Sequence, residues 1–170
     1  MINQSLPIDW QLFEKERWAL VADRIAEWKQ AGKRIVLVTG VFDVFHEEHR
    51  AFLQKASEVG DVLVVGVESD VRVKEMKGPD RPLFSQQHRF TQVSLYPVVD
   101  IAAILPESFS RPEHHRSLIQ LIQPHILAVS AHSPHQDKKQ LILQEFGGTL
   151  RVVHEHNPAV STTKLLAQRT

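Results

Sequence analysis

Cysteine is absent from this chain. That absence excludes disulfides, thiolate zinc sites and cysteine nucleophiles, and it fits a reducing cytoplasm, which is the expected location. A charge excess is missing too: 20 Lys and Arg balance 20 Asp and Glu. Broad binding to nucleic acid or to an anionic membrane needs a net basic face, so neither partner is expected. Apolar runs are short. Those at 62–67 and 101–105 fall far below the ~20 residues that cross a bilayer. The opening stretch, Met1-Ile2-Asn3-Gln4-Ser5-Leu6-Pro7, lacks the basic start and apolar core of a signal peptide. The dinucleotide fingerprint G-x-G-x-x-G and the P-loop signature are both missing. Internal repeats and low-complexity tracts are missing as well. What remains is 170 residues of average globular composition, enough for one folded domain.

Residues 9–31 place Trp10, Phe13, Trp18, Leu20, Val21, Ile25 and Trp28 at roughly helical spacing before Gly32, which predicts a helix. Its apolar face either packs on the domain or makes a homodimer contact. The β-branched run 35–40 and a second at 61–67 enclose a helical stretch at 47–59. Continuous apolar strands suit a sheet buried on both faces, so 34–67 reads as a right-handed βαβ unit. Strands are further predicted at 98–105, 125–130 and 150–153, with helices at 85–96, 112–122, 137–146 and 161–168. Lys77-Gly78-Pro79-Asp80-Arg81-Pro82 reads as a loop. Alternation of this kind predicts an α/β, Rossmann-like doubly wound parallel sheet, with ligands at the carboxyl ends of its strands.

The chemistry concentrates just past the first strand, in Thr39-Gly40-Val41-Phe42-Asp43-Val44-Phe45-His46-Glu47-Glu48-His49. Two histidines three residues apart share a helix face, at a helix start whose N–H groups favour an anion. Three readings of the pair stand: hydrogen bonding to phosphate oxygens, half of a metal site, or a chance surface pair in a chain with ten histidines. Phe42 reads equally as a core aromatic or as backbone close to a ligand. Ser161 or Thr162 reads as an ordinary N-cap for the last helix.

Gly40-Val41-Phe42-Asp43-Val44-Phe45-His46-Glu47-Glu48-His49 resembles the G-x-F-D-x-x-H-x-G-H signature of the cytidylyltransferase-like nucleotidyltransferases. The likeness continues through residues 60–73, the 77–83 loop, Arg89, Val99-Asp100 and the terminal 160–166 stretch. The Lys-Gly-Pro-x-Arg-Pro segment is most similar to heptose-1-phosphate adenylyltransferase domains. On this resemblance residues 34–170 form the nucleotidyltransferase domain and residues 1–33 a helical extension. The implied reaction is direct attack of an acceptor phosphate on the α-phosphorus of ATP or CTP, with release of pyrophosphate. His46, His49 and Lys77 are the implied catalytic residues. The implied nucleotide contacts are Thr39, Gly40, Val41, Phe42, His46, His49, Arg81, Ser161, Thr162 and Thr163. Asp43, Asp70 and Arg89 are the implied acceptor side, with Asp43 either facing the acceptor or orienting a motif histidine. Magnesium is expected on the triphosphate, held by phosphates and water rather than by protein ligands.

The chain departs from the signature at three places. The motif glycine is Glu48, and a carboxylate ~5 Å from a phosphate oxygen costs roughly 3 kcal/mol at an effective dielectric near 20. After the fourth strand, Val129-Ser130-Ala131-His132 stands where the heptose-type domains carry Lys-Gly-Gly-Asp. Ala159 replaces a glycine before the terminal hydroxyl motif. These changes set beside the enzyme a second expectation, a weak or inactive nucleotide-binding regulatory homologue.

Overall fold

The computed structural model describes residues 15–155, 157, 159–160 and 162–168. Each strand follows from a short β-branched run, and each helix from a longer amphipathic one. In chain order they are α1 (Lys15–Gln30), β1 (Ile35–Gly40), α2 (Glu47–Ser57), β2 (Val62–Val67), α3 (Asp70–Lys77), α4 (Gln86–Ser94), β3 (Ile101–Ile104), α5 (Pro112–Ile122), β4 (Ile126–Ser130), α6 (Gln136–Glu145), β5 (Thr149–His154) and α7 (Thr162–Ala167). The five strands form one parallel sheet in the order β3-β2-β1-β4-β5. The strand order reverses at β1, so the crevice for a ligand opens between the carboxyl ends of β1 and β4.

Strand alternation divides the core in two. Ile35 and Leu37 of β1 face Trp18, Val21 and Ile25 of α1 together with Leu118 and Ile122 of α5. Val36 and Val38 face Leu53 and Ala56 of α2 and Val93 of α4. This two-sided burial is why β1 and β2 read as unbroken apolar runs. Trp18, Val21 and Ile25 are buried within the chain, so the N-terminal helix packs on its own domain. Trp10 and Phe13 lie outside the described residues.

Three differences from the sequence reading have structural causes. Residues 70–77 form a helix where no element was expected. Val71 and Val73 look like a strand continuing, but Ser69 Oγ accepts from Arg72 N at 3.1 Å and caps the first turn. β3 is shorter than predicted because Val99 N donates to Tyr96 O in a turn, and the Asp100 carboxylate takes up Leu63 N at 2.7 Å. β5 runs one residue past its expected end, to His154, after a register shift at Val129/Ser130. That extra residue enters the site.

Candidate active site

A cleft of about 430 Å³ opens at the predicted crevice. Thr39, Gly40, Val41, Phe42, His46 and His49 line its β1–α2 side, and Lys77 lines the rim. His46 is the N-cap of α2 in extended conformation, and its backbone N–H donates to His49 Nδ1 at 3.4 Å. With Nδ1 accepting, neutral His49 carries its proton on Nε2. The two rings stack 3.8 Å apart at 15°, and Phe45 stacks on the far side of His49 with Phe42 at its edge. Aromatic packing therefore fixes both imidazoles at a helix start, where N–H groups and the helix dipole favour an anion.

The loop that carries them is strained and heavily held. Phe42 and Val44 have φ of 54° and 50°, a region that a bulky or β-branched residue adopts at a cost of about 1–3 kcal/mol each. Such a conformation persists where neighbours over-determine it. Arg89, 1% exposed, donates to Val41 O at 2.7 Å, to Phe84 O at 3.0 Å and to Asp70 Oδ1 at 2.8 Å. Asp43, 2% exposed, accepts from Leu83 N, Phe84 N and Arg81 Nε at 2.9, 3.1 and 3.0 Å. Burial alone would raise its carboxyl, but these two N–H groups and the Arg81 guanidinium outweigh burial and hold it below the ordinary value. Phe42 is a core aromatic, 3% exposed, that also borders the cleft. A Cβ at Gly40 would stand 2.9 Å from its ring, so this glycine makes room for Phe42.

Thus Thr39, Gly40, Val41, Phe42, Asp43, His46, His49 and Lys77 converge on the cleft. Arg81 is instead paired with Asp43, its Nη2 2.8 Å from Oδ2. Arg89 and Asp70 pair beneath the loop, off the cleft. Ser161 and the side chains of Thr162 and Thr163 lie outside the described residues. Lys77 sits at the rim with its pKa lowered, by desolvation first and then by the Arg81 charge, against the pull of Asp43.

The opposite wall contains what sequence reasoning missed. Glu48 borders the cleft, but its Oε2 accepts from His154 Nε2 at 2.8 Å and from Asn157 N at 3.2 Å. Lys55 Nζ lies 3.1 Å from His154 Nδ1, and an ammonium can only donate, so the imidazole proton is on Nε2 and points at Glu48. Glu48 thus joins the start of α2 to the end of β5 while still bordering the cleft. These links span 99 to 109 residues of chain, and no local spacing signals them. Glu68 and Lys139 were missed as well. Glu68 follows β2 and is 9% exposed, and its Oε2 has no hydrogen-bond partner among the described residues. Burial pushes its carboxyl up to about 7, against the opposing charges of Arg72, Lys139 and Arg89. Its one visible signal is an acidic residue closing an apolar run. Among the described residues no group of three His, Asp or Glu side chains is placed to hold a metal, and no helix is long and apolar enough to cross a membrane.

Known proteins resemble this chain in sequence and in fold. The bifunctional protein HldE of Pelobacter propionicus is 35% identical over 126 residues, 74% of this chain and 25% of that protein. HldE of Syntrophotalea carbinolica is 30% identical over 154 residues, 90% of this chain and 30% of its own. The chain thus spans about a quarter to a third of these relatives' length. The crystal structure of a lipopolysaccharide core biosynthesis protein from Thermoplasma volcanium matches with a TM-score of 0.61 and 26% identity, covering 74% of this chain and 98% of that one. The cytidylyltransferase-like family model matches residues 37–167, from the middle of β1 to the end of α7, and this chain belongs to that family.

Proposed function

We propose that this chain is a nucleotidyltransferase that moves AMP or CMP from a nucleoside triphosphate to a small phosphorylated acceptor, with a sugar phosphate favoured. One observation carries the reading: two mutually stacked histidines held at a helix start, bordering a cleft at the switch point of the sheet. The HldE relatives and the lipopolysaccharide core protein support a sugar-phosphate acceptor and favour ATP.

An acceptor phosphate oxygen attacks the α-phosphorus, the bond from that phosphorus to the bridging oxygen breaks, and its electron pair leaves with pyrophosphate. Charge builds on the phosphoryl oxygens and on the leaving group. His49 Nε2–H and the His46 ring supply donors at that point, and a fixed donor of this kind is worth ~10²–10³ in rate. The backbone from Thr39 to Phe42 borders the nucleotide, and Ser161, Thr162 and Thr163 supply hydroxyls to its phosphates. Lys77 covers the phosphates from the rim. Arg81, through Asp43, sets the loop behind it. Asp43, Asp70 and Arg89 form the acceptor side by holding the loop that the acceptor meets. A magnesium ion bound to the triphosphate would neutralise phosphate charge, and among the described residues no group of three carboxylate or imidazole side chains is placed to hold it.

Glu48 and the uncharged end of β4 favour a second reading, a homologue that binds nucleotide for regulation. Pyrophosphate release from ATP and CTP, with a panel of sugar phosphates, separates the two. Release that depends on acceptor supports transfer. Nucleotide binding without release under every acceptor supports the regulator.

A further inference from the structure

Opposite the histidines, the cleft wall built by Val129, Ser130, His132, Ser133 and Pro134 has no lysine or arginine of its own. One ammonium reaches it from outside that segment. Lys139, in the first turns of α6, borders the main cleft, and also a small adjoining cavity shared with Thr39 and His115. Its Nζ donates to Ser133 Oγ at 3.0 Å, a neutral acceptor. A half-buried ammonium has three donors, and one hydroxyl leaves it far from satisfied.

Behind Lys139 lies a second unsettled charge. Glu68 is buried at the end of β2 with Oε2 unpartnered among the described residues. Arg72 Nε is unpartnered there too. Lys139 and Glu68 act on each other electrostatically. Burial lowers the pKa of the lysine and Glu68 raises it.

We propose that Lys139 is a phosphate-binding residue of this cleft, contacting the nucleotide's phosphate chain from the β4–α6 wall while His46 and His49 contact it from the start of α2. The inference rests on the nucleotidyltransferase reading and adds a ligand that the signature does not contain. Chain separation explains why it is hidden. The lysine lies ten residues past the end of β4's apolar core at Val129, in the polar first turns of a helix that turns Ile142 and Leu143 to the core. It enters the cleft only because the 131–135 loop folds back beneath it, with Gln136 Nε2 donating to Ala131 O and Ser133 O.

The test is calorimetric titration of the full chain with ATP, CTP and the two parent nucleosides, for the natural protein, Lys139→Met and Lys139→Arg. Charge-assisted hydrogen bonds predict a loss of roughly 10–100-fold in triphosphate affinity for Lys139→Met. Lys139→Arg should stay within about threefold, because the charge remains within reach. Nucleoside affinity should be equal in all three. Methionine fits the same half-buried volume, and Lys139→Gln repeats the measurement with a polar side chain. Triphosphate affinity unchanged in both Met and Gln variants overturns the inference alone. Equal losses for nucleoside and triphosphate also overturn it, since they report a change of shape. A natural protein that binds neither triphosphate overturns the inference together with the reading beneath it.

Discussion

The two walls of the cleft were built by different rules. On the β1–α2 side, eleven consecutive residues from Thr39 to His49 contain the strand end, the strained loop, the N-cap and both histidines. On the β4–β5 side, the working contacts are Glu48 with His154, Lys55 with His154, and Lys139 with Ser133, drawn from α2, β5, α6 and the β4–α6 loop. The first wall is a local motif and tolerates little change. The second is an assembly of long-range pairs, where one residue can be replaced if another reaches the same place. Loss of a motif residue on that wall is therefore weak grounds for calling a site dead.

If the first wall carries the chemistry, its variants should show the largest effects. His46→Ala and His49→Ala should each lower pyrophosphate release by roughly 10²–10³, or about 2.7–4 kcal/mol, while circular dichroism shows the fold retained. Unchanged release in either variant removes that residue from the mechanism.

Next in size is the support beneath the loop. Arg81→Ala leaves the buried Asp43 carboxylate without its counterion, which should cost about 3 kcal/mol in denaturant unfolding. A loss below about 0.5 kcal/mol, typical of exposed pairs, would mean that Arg81 is free to serve the ligand directly.

A smaller and oppositely signed effect belongs to Glu68, behind the second wall. Folding raises the Glu68 carboxyl from its ordinary 4.5 to about 7. Between those values the unfolded chain ionises it and the folded chain does not. Stability from this group is therefore full below pH 4.5 and is lost as pH rises through 7. Glu68→Gln should remove that decline, making the variant more stable than the natural protein by roughly 2–3 kcal/mol at pH 8 and equal to it near pH 4. Thermal melting at the two pH values reads the difference. A variant less stable at pH 8 would show that the ionised carboxylate is fully paid for by Arg72, Lys139 and Arg89.

The sheet was legible in advance because burial on both faces leaves a plain trace: β1 and β2 are runs of Ile, Val and Leu closed by polar or glycine residues. The start of α2 was legible for the same local reason. α3 was hidden by its alternating valines, since Val71 and Val73 imitate a strand and the deciding group is the single hydroxyl of Ser69. The fate of Glu48 was hidden differently. In sequence it is an acid at a helix start, and only the register shift that carries β5 to His154 gives it a partner. Phe42 is a core aromatic that also borders the cleft.

The account turns on Glu48, which is either a strut between the walls or a charge in the phosphate's way. Calorimetric titration of ATP and CTP into the natural protein and into Glu48→Gly decides between them. Removing the carboxylate leaves His154 Nε2 and Asn157 N without their acceptor. The predicted result is measurable triphosphate binding by the natural protein and roughly 3–10-fold weaker binding by the variant, as for one or two lost hydrogen bonds that position a ligand. Binding at least about tenfold tighter in Glu48→Gly, the relief of a repulsion near 3 kcal/mol only partly offset, would contradict it and make Glu48 an obstacle to the phosphates.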